Sequence, residues 1–342
     1  MQPLSQNPNG AGPHSGAGQS GSQAHPVPHP YTPYPELVIN FCPTGMIPTK
    51  EMTPHVPISP AEVVDDACLA IEIGAAIVHL HARDSDGKPT WRGEIYEEMI
   101  LGIRSHHPEA VVCVSCSGRN FPDFERRSEV LDLTGAARPD LASLTLTSLD
   151  FPTGTSLNAP DMVEALAARM AERGVKPELE CFDFGMVSAA NLLIRRGLVA
   201  PPFYFNLLLG SRYSVPATAR HLSNLVADLP DGAVWSAAGI GLFQLPMNVL
   251  AIAMGGHCRT GLEDNIHAGI ERGVLGTNAG AMARLVRLTE TFGRPVAGPA
   301  RARQLLGLGP APRAADTPRT PGGSAVEGTP PGAEAACGGA PA

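Results

Sequence analysis

The chain has 342 residues, of which 43% are hydrophobic and only 17% charged, with 37 Gly, 34 Pro and a formal net charge of −8. That length allows one large domain or two ordinary ones around a sizeable core. Acidity without a basic stripe argues against nucleic acid as a partner, and the lack of any apolar run near about 18 residues argues against a membrane span.

The first residues carry neither a basic n-region nor an apolar h-region, so export is not expected. Seven cysteines (Cys42, Cys68, Cys113, Cys116, Cys181, Cys258, Cys337) are odd in number and sit mostly inside apolar runs, which fits a reduced, cytoplasmic protein better than a disulfide framework. Residues 1–34 are rich in Pro, Gly, Ser, Gln and His, and 310–342 in Pro, Gly, Ala, Thr and Glu. Neither end can bury enough apolar surface to offset chain entropy, so both are expected to be disordered tails flanking one catalytic unit over 35–309.

Within that unit, β-branched runs alternate with longer amphipathic stretches. Strands are predicted at 36–42, 76–82, 110–116, 141–147, 178–183, 203–209, 233–238 and 256–262. Helices are predicted at 60–73, 94–105, 123–133, 160–173, 186–197, 217–228, 244–254 and 278–292. The first helix has a start signal in Ser59, Pro60 and Glu62, a capping box with Pro at the first helical position; Gly174 and Gly255 are stop signals. Eight βα units over about 275 residues match a closed (β/α)₈ TIM barrel, typically about 250 residues long. The competitor, an open doubly wound sheet, normally carries a Gly-rich fingerprint after its first strand, and Phe41-Cys42-Pro43-Thr44-Gly45 is not one.

A barrel places chemistry at the C-terminal strand ends. Strand two ends His79-Leu80-His81, and side chains two apart on a strand face the same way. Two inward imidazoles at a strand end point to a metal rather than to a lone core histidine. On strand eight, alternation turns His257, Arg259, Gly261 and Glu263 inward, with Glu263 nearest the mouth. His79, His81 and Glu263 then make a two-His, one-carboxylate set with an open position, suited to Zn²⁺ or to another divalent cation such as Fe²⁺ or Co²⁺. Strict alternation puts Asp264 outward, as an N-cap for 265–267; as a functional group it would be a base oriented by Arg259. Ser115 and Ser117, followed by Gly118, and Thr145 with Thr147 are strand-end polar pairs that either bind a carboxylate or cap a barrel layer. Glu180 is a second acid of the site or a structural ion-pair member. The glycines of 238–244, Gly239 and Gly241, can cradle a phosphate or serve a tight turn. Cys42 and Cys116 lack an activating partner and read as buried, inert thiols.

The motifs GMIPTKEMTP (45–54), HLHARD (79–84), SLDF (148–151), ECFD (180–183), WSAAGIG (235–241), GGH (255–257), RTGLEDN (259–265) and ARQLLGL (302–308) together resemble the β-keto acid cleavage enzyme family. The resemblance covers about 36 to 308. It implies a Zn²⁺-dependent barrel enzyme, a homo-oligomer of tetrameric type. The implied reaction exchanges a β-keto acid and acetyl-CoA, the co-substrate, for acetoacetate and a new acyl-CoA. His79, His81 and Glu263 would hold the metal; Arg259 and Asp264 would remove the α-proton; one of Ser115 and Ser117, with one of Thr145 and Thr147, would anchor the carboxylate. The amino-keto acid enzymes of the family tie the substrate's amino group to an acid in the loop after strand one, where this chain has Ile47, so a less cationic, more apolar keto acid is expected.

Two other classes compete. A metal-dependent hydrolase of amidohydrolase type also uses a His-x-His strand end, but needs further His or Lys ligands on middle strands, and ELECFD, FYFNLLL and AVWSAA supply none. A non-catalytic βα-repeat binding scaffold would bind no metal.

Overall fold

The computed structural model describes residues 34–313. Eight parallel strands close into a barrel: β1 (Ile39–Phe41), β2 (Ile77–Leu80), β3 (Val111–Val114), β4 (Leu141–Thr145), β5 (Lys176–Cys181), β6 (Tyr204–Leu209), β7 (Val234–Gly239) and β8 (His257–Thr260). Closure comes from β1, which pairs with β8 through Asn40 and Arg259 and with β2 through Asn40 and Ile77. The closed barrel excludes the open sheet. Most of the two expected tails, at 1–34 and 310–342, lies outside the described residues.

Helices α1 (Pro60–Ile73), α2 (Gly93–His106), α3 (Phe124–Ser128), α4 (Pro160–Arg173), α5 (Phe184–Arg195), α6 (Ala219–Ala227), α7 (Gln244–Ala253) and α8 (Asn278–Phe292) cover the outside. The capping box forms as expected: the Ser59 hydroxyl accepts from the Glu62 amide and the Glu62 carboxylate from the Ser59 amide. Gly174 ends α4 in the left-handed conformation. The helix expected over 123–133 shortens to five residues and continues as a 3₁₀ turn over Glu129–Asp132.

Alternation along the strands sorts two environments. Val78, Leu80, Val112, Val114, Leu144, Leu179, Phe205 and Leu207 pack outward against the helices. Val38, Ile77, Val111, Leu141 and Tyr204 point into the barrel, where the short helix α9 (Pro299–Leu305) and Leu306 close the N-terminal end. The opposite end stays open, and two hairpins that alternation does not reveal stand beside it: Ala82–Arg83 with Pro89–Thr90, and Leu149–Phe151 with Gly154–Ser156. Among the described residues no helix is long and apolar enough to cross a membrane.

Candidate active site

The centre of the barrel is polar rather than aliphatic. Glu178, fully buried on β5, accepts from Asn40 Nδ2 at 2.6 Å, from Asn206 Nδ2 at 3.2 Å and from Cys113 Sγ at 3.3 Å. It also faces His79 Nδ1 at 2.8 Å. Holding the proton on Nδ1 leaves His79 Nε2 bare, as a metal ligand requires. That nitrogen sits 3.2 Å from His81 Nε2, and His81 Nε2 sits 3.2 Å from Glu263 Oε1.

The ligand atoms of His79, His81 and Glu263 all lie within 4.8 Å of one another, and the second carboxylate oxygen of Glu263 is buried without a partner. An orphaned oxygen beside two converging imidazole nitrogens suits a divalent cation. His79, Cys113 and Glu178 are also close enough for a cation, but the oxygens of Glu178 are already engaged by four donors, so the set at the mouth fits better.

Glu263 arrives there by a different route from the one alternation predicts. Strand β8 ends at Thr260, and Gly261, at φ 146°, breaks the two-residue period. A Cβ on Gly261 would overlap the Cys42 carbonyl, so only glycine permits this close approach. The chain then turns over 262–264 and delivers both Glu263 and Asp264 inward. Gly45, at φ 63°, makes room for them: a Cβ there would overlap the side chain of Glu263. The outward, capping role for Asp264 is therefore corrected. The next helix, α8, begins at Asn278 with Thr277 as its cap.

Arg259 organises the acids. Its Nε donates to Asp264 Oδ2 at 2.9 Å, and its Nη2 to Asp264 Oδ1 at 3.1 Å and Glu263 Oε1 at 2.6 Å. Its remaining nitrogen, unpartnered, lies 4.0 Å from Glu180 Oε1. Burial and charge then divide the group. Burial raises carboxyl pKa values, but Arg259 and the two histidines hold Glu263 well below the ordinary range. For Asp264 burial prevails over the pull of Arg259, leaving a carboxyl of raised pKa; Glu180 is raised by burial and by Glu178. Burial lowers both imidazoles, decisively for His81, whereas Glu178 and Glu263 bring His79 back above its usual value.

These groups open into a cavity of about 460 Å³ at the C-terminal mouth. Its walls include His81, Ser115, Ser117, Thr145, Glu180, Gly241, Arg259, Glu263 and Asp264. Met46, Ile47, Pro48 and Met52 form an apolar side from the β1 loop, which Arg83 ties down by donating to the Gly45 and Pro48 carbonyls at 2.8 and 2.9 Å. Besides His79, three expected residues lie outside the walls. Gly118 packs against Arg127 and the Leu157 carbonyl, Gly239 against the Phe243 backbone, and the Thr147 hydroxyl reaches the Ser148 carbonyl. Thr145 does line the cavity, but its hydroxyl donates to Glu180 Oε2 at 2.7 Å. His257 is inward yet sits toward the closed end, accepting from the Val38 amide at 2.9 Å. Burial raises the Cys42 thiol and pushes Cys116 up to about 12, so both stay protonated.

Sequence reasoning passed over Glu178, Asn40, Arg83 and Arg119. Arg119, on the cavity wall, lies with its guanidinium carbon 3.5 Å from the centre of the Phe151 ring. The signal available for it was a cation directly after the strand-end Ser115-x-Ser117 in a chain poor in charge.

A closed parallel barrel with a His-His-Glu set and an Arg-Asp pair at its open mouth defines a TIM-barrel enzyme. The model of the family "beta-keto acid cleavage enzyme" matches residues 36–308, and the chain belongs to that family. It is 38% identical over 276 residues to a 3-oxoadipate:acetyl-CoA acetyltransferase of Cupriavidus necator, spanning 79% of this chain and 94% of the relative. To a 3-keto-5-aminohexanoate cleavage enzyme of Acetoanaerobium sticklandii it is 35% identical over 277 residues, 80% of this chain and 98% of the relative. Among solved structures, a ternary complex of ObcA with a C4-CoA adduct and oxalate shares the fold, with TM-score 0.65 at 20% identity over 75% of this chain and 68% of that one.

Proposed function

We propose that the protein transfers the two-carbon, carboxylate-bearing end of a β-keto acid to acetyl-CoA, giving acetoacetate and a new acyl-CoA. The observation that carries this reading is Asp264, a buried carboxyl gripped by Arg259 next to the His79, His81 and Glu263 set, at the mouth of the cavity. Zn²⁺ or a similar divalent cation bound by those three residues would polarise the keto oxygen as a Lewis acid and so acidify the carbon between ketone and carboxylate.

Asp264 takes a proton from that carbon. Burial raises its pKa, which makes its ionised form a stronger base than a solvated carboxylate. The carbanion attacks the acetyl carbonyl and releases CoA thiolate. The thiolate then adds to the original ketone, the bond to the carboxylate-bearing carbon breaks, and Asp264 returns its proton to that carbon. One base thus serves as acid at the end, and atoms and charge balance.

The apolar wall of Met46, Ile47, Pro48 and Met52 supports an uncharged, apolar tail on the keto acid. The six described cysteines are free, which supports a reducing, cytoplasmic setting, and the family likeness supports a homo-oligomer, with a tetramer as the expected mass in sedimentation. The test of the reaction is incubation with metal, acetyl-CoA and a panel of β-keto acids, reading acetoacetate. Turnover that needs acetyl-CoA supports it; hydrolysis independent of acetyl-CoA would move the protein to the amidohydrolase type. Stoichiometric zinc that disappears in the His79→Ala, His81→Ala variant would remove the binding-scaffold reading.

A further inference from the structure

We infer that Arg119 is the cationic receptor for the substrate's carboxylate, acting with the hydroxyls of Ser115 and Ser117. This deepens the β-keto acid reading and rests on it. The cavity holds three carboxylates, of Glu180, Glu263 and Asp264, so an anionic substrate entering it needs a cation not already spent. Arg259 is already ion-paired with Glu263 and Asp264, its remaining nitrogen 4.0 Å from Glu180, and Arg212 lies on the exposed rim, where solvent screens it. Arg119 is different. Among the described residues its side chain makes no ion pair or hydrogen bond, and its Nε is buried without a partner. Its guanidinium carbon instead stands over Phe151, 3.5 Å from the ring centre, and that ring is held edge-on by Phe182 at 5.7 Å and 87°. A stacked guanidinium keeps its edge free for in-plane donors, the geometry that receives a carboxylate.

The serines complete the receptor. Ser115 Oγ accepts from the Ser117 amide and Ser117 Oγ from the Arg119 amide, each at 3.3 Å. These bonds use lone pairs and leave both hydroxyl protons free to donate. Thr145, whose proton goes to Glu180, is the weaker candidate of the strand-end hydroxyls. The donors sit after β3, whereas the apolar wall of Ile47 and its neighbours comes from the loop after β1, so a β-keto acid is held by its carboxylate at the first and by its tail at the second. The carboxylate stays on the carbon that is transferred, so the same receptor holds the substrate and the acetoacetate formed from it.

The test uses the metal-loaded full chain and its Arg119→Met, Arg119→Lys and Phe151→Leu variants. With Arg119→Met, KM for the keto acid should rise roughly ten- to a hundredfold, the loss of one charge-assisted carboxylate contact, with KM for acetyl-CoA unchanged. Lys should recover part of the loss, and Phe151→Leu should give a smaller one. Calorimetry with an unreactive 3-hydroxy acid and its amide gives a readout independent of turnover. The wild type should prefer the acid, and Arg119→Met should lose that preference. The inference is overturned if the acid-to-amide ratio is unchanged in Arg119→Met, if KM rises only for acetyl-CoA, or if the loss is confined to keto acids with a second carboxylate. A wild type that turns over no keto acid would refute the reaction, while the acid-to-amide comparison would still decide the role of Arg119.

Discussion

Glu178→Gln tests how the barrel prepares the proposed metal site. Burial opposes ionisation of Glu178, yet its contacts with His79, the charge of Arg259 and the hydrogen bond from Cys113 together hold the carboxyl below its usual pKa. The carboxylate meets four donors: His79 and Cys113 at one oxygen, Asn40 and Asn206 at the other. Glutamine has nearly the same shape but must place an NH₂ against one of those pairs. Against Asn40 and Asn206 it leaves donors facing donors in a fully buried layer. Against His79 it can be relieved only if the imidazole moves its proton to Nε2, the nitrogen that faces His81. A lost charge-assisted bond costs about 1.5–3 kcal/mol, a fall of a few degrees in Tm for a chain of this size. Loss of the partner that orients a ligating histidine costs roughly 10- to 100-fold in metal affinity. Competition with a chromogenic chelator measures the second quantity and thermal unfolding of the metal-free protein the first. A Glu178→Gln protein with unchanged zinc affinity and unchanged Tm would refute the reasoning.

Asp264→Asn should lower turnover by about 10²–10⁴-fold while keeping stoichiometric zinc, and should abolish deuterium exchange into the keto acid's α-carbon; retained exchange would remove Asp264 as the base. Gly45→Ala should push Glu263 aside and strain a residue at φ 63°, so zinc affinity and Tm should both fall, read by the same two assays. His257 is buried and lies near Arg294, which together depress its pKa to about 3. A depressed histidine binds fewer protons folded than unfolded, so its contribution to stability is complete above the unfolded value near 6.5 and is lost as pH falls toward 3, on the order of 5 kcal/mol in all. His257→Asn keeps an acceptor for the Val38 amide without titrating. Denaturant midpoints between those pH values should therefore slope less steeply in the variant than in the wild type, and equal slopes would contradict the assignment.

The strand-borne half of the site was legible in the sequence because a period of two is a local property: His79 and His81 sit where alternation puts them. The half beyond β8 was legible only in part. Alternation carried past Thr260 turned Glu263 inward for the wrong reason and Asp264 outward, because the chain leaves the strand at Gly261, where the Cys42 carbonyl just past β1 leaves no room for a side chain. The two glutamates of ELECFD show the limit most plainly. Glu178 and Glu180 share a face, and only the depth of each in the barrel, set by the other strands, makes one the partner of His79 and the other a partner of Thr145. Arg119 was hidden for a similar reason, since its ring partner Phe151 belongs to a hairpin that has no alternating apolar pattern.

The polar layer beneath His79, His81 and Glu263 has a cost that bears on its purpose. Asn40, Glu178, Asn206 and Ser236 are fully buried, and Tyr204 nearly so, at a level where barrels are usually filled by branched aliphatic side chains. Burying a carboxylate is unfavourable unless its lone pairs are met, and here they are: Ser236 donates to Asn206 at 3.0 Å, Asn206 and Asn40 to Glu178, and Glu178 faces His79. Satisfied in this way the layer is at best neutral for stability compared with an apolar one of equal volume. What an apolar layer could not supply is a fixed proton on His79 Nδ1. The chain runs from Ser236 through Asn206 to Glu178 and ends at the His79 nitrogen opposite the one that faces His81, so the layer's physical effect is concentrated on the proposed metal site, and its disruption at any member should be felt in zinc affinity before it is felt in the fold.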